Sequence, residues 1–328
     1  MRRLFITLLL AGMTAAEAGA QDAAVTVEPL QAGAANFLTL PTDARSAAMA
    51  GAGVALAGHP QAVFHNGAAV FGSPEKAGAA YTYSPWMRDF QSGYQLHTVG
   101  GFYRLNDRHA ILAGFRHLGY PSLMGGEGQP SVKAKEWAVE AGYAFRLLDG
   151  LSVAATARYV YSALGEVNGK NGASTVAFDA GIFYQQALAG EVDNGDWTVG
   201  LQAANFGPQM SYLSGKEYLP AVVKAGGAVR LPFSLFHQVT LTTDVACRMQ
   251  PSDVRSLSVS AGAEYSLLDL LFLRGGYHYG DKEKADCSYG TAGAGLSLYG
   301  AQVDFSWLFA GKDCAFRNTW WITVGYRF

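Results

Sequence analysis

Three cysteines and seven histidines are the residues of this 328-residue chain best suited to ligate a metal or attack a substrate. Their spacing argues against both. His59, His65, His97, His109, His117, His237 and His278 are scattered, and no Cys-x-x-Cys or His-x-x-x-His pair occurs. The sequence therefore assigns no metal site, no cofactor and no catalytic residue. No serine sits in a nucleophile elbow. Gly51-Ala52-Gly53 matches the start of a dinucleotide fingerprint. Position 56 is Leu rather than the third Gly, and no strand–helix context surrounds it, so a Rossmann reading fails. Cys287 and Cys314 precede two expected strands and fall in neighbouring long loops. A disulfide between them would close a loop of about 26 residues and stabilise by roughly 3 kcal/mol. Two unpaired thiols are the alternative. Cys247, late in a strand, reads as a small apolar side chain.

The elements that must carry these residues are strands. In Trp137-Ala138-Val139-Glu140-Ala141-Gly142-Tyr143-Ala144-Phe145-Arg146, one parity is Trp, Val, Ala, Tyr, Phe and the other is Ala, Glu, Gly, Ala, Arg. Period two means one apolar face and one small or polar face. Val303, Phe305, Trp307 and Phe309 repeat it against Gln302, Asp304 and Ser306. About fourteen such segments are expected, each near ten residues, the length of a tilted strand crossing a bilayer. They run 77–87, 93–104, 109–118, 134–147, 150–163, 173–187, 196–206, 219–231, 237–249, 256–267, 270–280, 288–299, 301–310 and 318–328. Connections alternate between short turns and long loops, the outer-membrane arrangement. Two turns, 188–195 and 232–236, look longer than that pattern allows. The fold class is thus all-β: a transmembrane outer-membrane barrel of about fourteen antiparallel strands.

Composition agrees. Hydrophobic residues make up 50%, charged residues only 15%, and mean hydropathy is +0.08. That much apolar surface excludes disorder. A net charge of −2 with no basic run argues against a nucleic-acid partner. No apolar stretch beyond the first dozen residues approaches the ~20 residues of a membrane helix. The inward parity carries Glu140, Arg146, Arg158, Asp179, Asp244, Glu264, Arg274 and Asp304, both signs in similar numbers. A salt-bridged, filled interior is favoured over an ion-selecting lumen. Each Arg or Lys on the lipid face would cost about 2–4 kcal/mol at mid-bilayer.

At the N-terminus, Arg2 and Arg3, the apolar run 4–11 and Ala18-Gly19-Ala20 form a secretory signal, with cleavage expected after Ala20. Residues 21–76 do not alternate and are rich in Ala and Gly, as suits a segment packed inside something else. The expected organisation is a signal peptide (1–20), a plug (21–76) and a barrel (77–328). The last strand places Trp320, Ile322, Val324, Tyr326 and terminal Phe328 on one face. This resembles the C-terminal signature of bacterial outer-membrane barrels.

The run 37–56, Phe-Leu-Thr-Leu-Pro-Thr-Asp-Ala-Arg-Ser-Ala-Ala-Met-Ala-Gly-Ala-Gly-Val-Ala-Leu, resembles the plug of FadL-like barrels, and more closely the PorV/PorQ outer-membrane proteins of type IX secretion. Tyr83-Ser84-Pro85-Trp86-Met87, Asn205-Phe206-Gly207-Pro208, Tyr218-Leu219-Pro220 and Leu273-Arg274-Gly275-Gly276-Tyr277 extend the likeness to the C-terminus. Asp43, Arg45 and Asn66 are its plug motif, although Asn66-Gly67-Ala68 stands where the family carries Asn-Pro-Ala, and His59 where an acidic residue is expected. The resemblance implies a fourteen-stranded barrel without catalysis. It also implies partners: secreted cargo with a C-terminal signal domain, a large outer-membrane translocon and a surface attachment complex. A FadL-like transporter of small hydrophobic molecules is the alternative, and would need an apolar pocket. Trp86, Met87, Phe90, Leu123, Met124, Met210 and Tyr212 lie in the outer loops and form either an exposed partner surface or an aromatic girdle and loops packed over the barrel mouth.

Overall fold

The computed structural model describes residues 33–89, 92–121, 134–164, 172–188, 195–212, 215–281, 284, 286–312 and 314–328. Fourteen antiparallel strands close into one barrel. They are Ala77–Trp86 (β1), Tyr94–Arg104 (β2), His109–Gly119 (β3), Lys135–Leu148 (β4), Leu151–Ala163 (β5), Ala173–Leu188 (β6), Gly195–Phe206 (β7), Val222–Ser234 (β10), His237–Arg248 (β11), Leu257–Leu267 (β12), Leu271–Tyr279 (β13), Tyr289–Leu298 (β14), Ala301–Ala310 (β15) and Trp320–Arg327 (β16). Between β7 and β10 the chain makes a small ribbon of its own, Met210–Tyr212 (β8) and Gly215–Glu217 (β9), which the periodicity did not announce because each arm is only three residues. Every barrel strand pairs with its neighbour in sequence, and β1 closes on β16 from Gly78↔Arg327 to Tyr83↔Ile322.

Alternation sets the two faces. Ile111, Phe115, Val139, Tyr143, Val303 and Phe305 are exposed and face outward, while Leu112, Ala138, Glu140, Arg158, Asp304 and Ser306 are buried inside. The last strand follows the rule: Ile322, Val324, Tyr326 and Phe328 are exposed, and Trp320 meets Tyr83 edge-on across the closing seam and Phe305 on the neighbouring β15. Tight turns join strands at one end. Leu268-Asp269 and Tyr299-Gly300 take paired positive φ angles, 58°/52° and 51°/84°, the hairpin geometry that matches the right-handed twist of the flanking strands.

One expected long turn is short. β10 runs to Ser234 and reverses through Leu235-Phe236, so 232–236 is mostly strand. The register slips between Pro232 and Ser234, because Pro232 has no N–H to give the ladder and is accommodated at an irregularity. The other, 188–195, falls largely outside the described residues. β10 also begins three residues later than expected, after Pro220.

Residues 33–76 contain only short turns of 3-10 helix and one brief helix, Ala44–Ala48 (α1). Asp43 caps α1, its Oδ1 accepting from Ser46 N at 2.7 Å. This segment lies within the ring of strands. Ala44 N–H donates to Thr323 Oγ1 on β16, and Ala50 N–H to Thr291 Oγ1 on β14. Asp244 on β11 accepts from the N–H groups of Gly53 and Val54. Thr198 on β7 donates to Ala55 O, Ser152 on β5 to Ala68 O, and Thr98 on β2 to Thr42 O. A short segment without a sheet or long helix has many backbone groups to satisfy, and inward hydroxyls and carboxylates satisfy them here. Small inward residues make room. A side chain at Gly200 would overlap the Val54 carbonyl, and one at Gly276 the backbone of Met49.

Candidate functional site

An ionic and an apolar layer of side chains occupy much of the barrel interior. Arg116 and Arg158 both pair with Glu140, at 2.7 and 2.9 Å, and Arg158 also reaches Asp179 at 2.7 Å and Asn205. Asp179 accepts from the Asn205 N–H at 2.8 Å, where β6 and β7 slip register and Asn205 takes a φ of +63°. Asn is among the few residues that tolerate that conformation. Across the barrel, Arg274 joins Glu264 (2.5 Å) to Asp304 (2.6 Å). All of these are at least nine-tenths buried. The interior is therefore salt-bridged. Removing these charges from water is repaid only by such close pairing.

Asp43, Arg45 and Asn66 each make a defined connection. Arg45 forms a two-pronged pair with Glu264, Nε to Oε2 at 3.0 Å and Nη2 to Oε1 at 2.9 Å, and its Nη1 donates to Ala57 O. Asn66 Nδ2 donates to Val54 O within the segment and to Ile182 O on β6. Asp43 meets two imidazoles, His59 Nε2 at 2.8 Å and His65 Nε2 at 2.7 Å. Burial works to raise the Asp43 carboxyl, but the His59 and His65 rings beside it outweigh burial and hold it well below the usual carboxylate range. Burial pushes the His65 ring down, and the Asp43 carboxylate only partly restores it. Sequence spacing missed this cluster. Its ligating atoms come from two turns sixteen or more residues apart, and no short motif holds them together.

The apolar layer lies at the long-loop end. Of the two arrangements open for Trp86, Met87 and Met210, burial favours packing over the barrel mouth: they are 3%, 1% and 0% exposed. Trp86 packs on Phe316 (4.9 Å between ring centroids) and edge-on to Trp321 (6.0 Å). Met87 and Met210 join the same cluster with Phe37, Leu38, Leu96, Leu118 and Leu219, and Tyr212 is partly buried against it. The loops turn their large side chains inward because Phe37 and Leu38 of the interior segment offer an apolar floor that solvent does not. Phe90, Leu123 and Met124 lie outside the described residues. Tyr218, at 44%, is the exposed aromatic beside this cluster. Replacing Trp86 with Ala is thus expected to destabilise the barrel by about 3–5 kcal/mol through a buried cavity. Heat-modifiable electrophoretic mobility, followed against temperature, measures it; an unchanged midpoint would count against this packing.

Cys287 and Cys314 are joined by a disulfide, with Cα atoms 5.7 Å apart. It ties the β13–β14 loop to the β15–β16 loop, beside Phe316. Cys247 is free and half-buried in β11. The Cys287→Ser/Cys314→Ser pair is expected to lose roughly 3 kcal/mol of stability, read as a lower unfolding midpoint, with wild type matching it only in reductant.

Between the apolar layer and the Arg116–Glu140–Arg158 network lies a cavity of about 190 Å³. Its lining includes the apolar Leu38, Trp86 and Leu308 and the charged Arg116, Lys224, Asp244 and Arg248.

Residues 24–255 match the family model of the type IX secretion system protein PorV. The chain belongs to the PorV family. Among solved structures, the Ralstonia pickettii toluene transporter TbuX is similar at 14% identity and a TM-score of 0.55, covering 89% of this chain and 98% of that one. A Pseudomonas aeruginosa FadL homologue aligns at 12% identity and a TM-score of 0.52, covering 88% and 99%. The Pseudomonas putida toluene transporter TodX gives 12% and 0.51, covering 85% and 95%. At such identities the likeness establishes the architecture, a FadL-like barrel. No curated protein matches. This PorV-family barrel is an outer-membrane protein of a Gram-negative bacterium and a component of type IX secretion. The signal peptide expected over 1–20 lies outside the described residues.

Proposed function

We propose that this barrel binds secreted cargo at its long-loop rim and passes it from the outer-membrane translocon to a surface attachment complex, without itself conducting the cargo. The observation that carries the reading is the occupied interior: residues 33–76 are hydrogen-bonded to strands on all sides, from Thr98 on β2 through Asp244 on β11 to Thr323 on β16. A barrel filled in this way serves as a docking body rather than a conduit. Residues 21–76 are its plug. The buried cluster of Trp86, Met87 and Met210 is the rigid base of the rim, with Tyr212 and Tyr218 above it available to a partner. Leu123, Met124 and Phe90 belong to the same proposed surface. Catalysis has no part in this role.

The cavity argues against a hydrocarbon transporter. Arg116, Lys224, Asp244 and Arg248 on its wall would be desolvated by an apolar ligand.

Purification of the tagged protein from native outer membrane in mild detergent, with mass spectrometry of what accompanies it, tests the proposal. Secreted proteins sharing a C-terminal domain, or a very large barrel, are expected. A barrel carrying only lipid or fatty acid would overturn it in favour of small-molecule transport.

A further inference from the structure

Asp43, His59 and His65 bring one carboxylate and two imidazoles together inside the barrel, with a ligating atom from each lying within 4.8 Å of the others. Their side chains are 1%, 5% and 12% exposed. Two features distinguish this cluster from an ordinary buried ion pair. Both imidazoles meet the one carboxylate, His59 Nε2 on Oδ1 at 2.8 Å and His65 Nε2 on Oδ2 at 2.7 Å. The carboxylate is also braced independently of the rings: Ser46 N–H donates to Oδ1 at 2.7 Å and Ser46 Oγ to Oδ2 at 2.6 Å. Such outer hydrogen bonds orient a ligating carboxylate.

We propose that Asp43, His59 and His65 form a binding site for a divalent transition-metal ion of the zinc class, which pins the turn at 42–46 to the turn at 59–65. Two imidazoles and one carboxylate suit zinc and its first-row neighbours. Calcium and magnesium prefer all-oxygen shells. Bond lengths of about 2.0–2.2 Å in a tetrahedral shell hold ligating atoms about 3.3–3.5 Å apart. The 2.7 and 2.8 Å contacts run to different oxygens of Asp43, so loading opens them and swings the rings toward one shared ion, a side-chain adjustment. Thr42 and His65 line the internal cavity, so water or Thr42 Oγ1, 3.3 Å from His65 Nε2, is placed to take the fourth position.

Loading has one cost. The Gln61 N–H donates to His59 Nδ1 at 3.1 Å. A neutral ring that ligates through Nε2 carries its proton on Nδ1, so that bond is given up. The Gln61 amide is consequently a reporter of the loaded state.

The experiment uses the full chain in detergent, without a polyhistidine tag, stripped with chelator and titrated with Zn²⁺ by calorimetry, with metal content measured by mass spectrometry. One Zn²⁺ per chain is expected. His65→Asn or His59→Gln should weaken it more than about a hundredfold, beyond the 10–100-fold cost of losing an outer hydrogen bond. His97→Asn should leave it intact; that ring lies 6.2 Å from His117 on other strands and is the obvious competing site. Absence of stoichiometric Zn²⁺, or binding that survives the His59/His65 changes and vanishes with His97→Asn, would overturn the proposal. Where the variants fail to assemble, X-ray absorption of Zn²⁺-loaded wild type decides. A shell with two imidazoles and oxygen supports the site, and a sulfur-containing or all-oxygen shell removes it.

Discussion

Deleting residues 33–72 is expected to convert a closed barrel into a conducting pore. Eight strands make a barrel whose interior side chains just fill it, and sixteen leave an aqueous channel. Fourteen strands lie near the second case. Here the space is taken by Ala44, Met49, Ala52, Ala55, Gln61 and Ala68, each no more than 1% exposed. Without them, Asp244, Glu264, Arg274, Asp304 and Thr323 would line a wet lumen. Planar-bilayer recordings should go from no current to large, steady openings. Assembly of the shortened chain is checked first by heat-modifiable mobility, since the deletion also strips the apolar floor beneath Trp86. Should it fail to assemble, Asp244→Ala is the milder variant. It removes the acceptor of the Gly53 and Val54 N–H groups and should give intermittent openings. A deleted barrel that assembles and stays electrically silent would refute the plug.

Arg158→Leu is expected to be the most destabilising single charge removal in the wall. Arg158 bridges Glu140 and Asp179 and also donates to Asn205. Loss of the guanidinium leaves Asp179 without its ion pair, and Glu140 with Arg116 alone. Breaking a buried pair on one side costs about 3–5 kcal/mol, because an uncompensated charge remains in a low-dielectric interior. Changing Arg158, Glu140 and Asp179 together to apolar residues should recover part of that loss, since no orphan charge is left. Urea unfolding in detergent measures both variants. Equal destabilisation by the single and triple changes would show that packing, rather than charge, dominates at this site. The slip in register at Phe178/Ala180 should loosen in the single variant, because the side chain that holds Asp179 against the Asn205 turn is gone.

Much of this protein was legible in order along the chain. A strand's side chains alternate with period two whatever its neighbours do, so Trp137 to Arg146 announced their outward and inward faces without a partner strand. The same periodicity gave fourteen segments, and membrane solvation explains why charge collected on one parity. Hairpin pairing between sequence neighbours needs no long-range information, so the order of strands was readable too. The family motif in 37–56 was likewise a local pattern.

What the tertiary structure decided is everything that depends on the contents of the barrel. Trp86, Met87 and Met210 look like exposed loop residues until Phe37 and Leu38 are placed beneath them. Burial is a property of the neighbours rather than of the residue. Arg45 finds Glu264 across 219 positions, and no short-range spacing encodes that meeting. Asp43, His59 and His65 converge only because the segment folds back on itself inside a ring of strands that supplies its missing hydrogen bonds. Local periodicity is written into the backbone geometry of a strand. Convergence of distant side chains is set by closure of the barrel and by what that closure encloses.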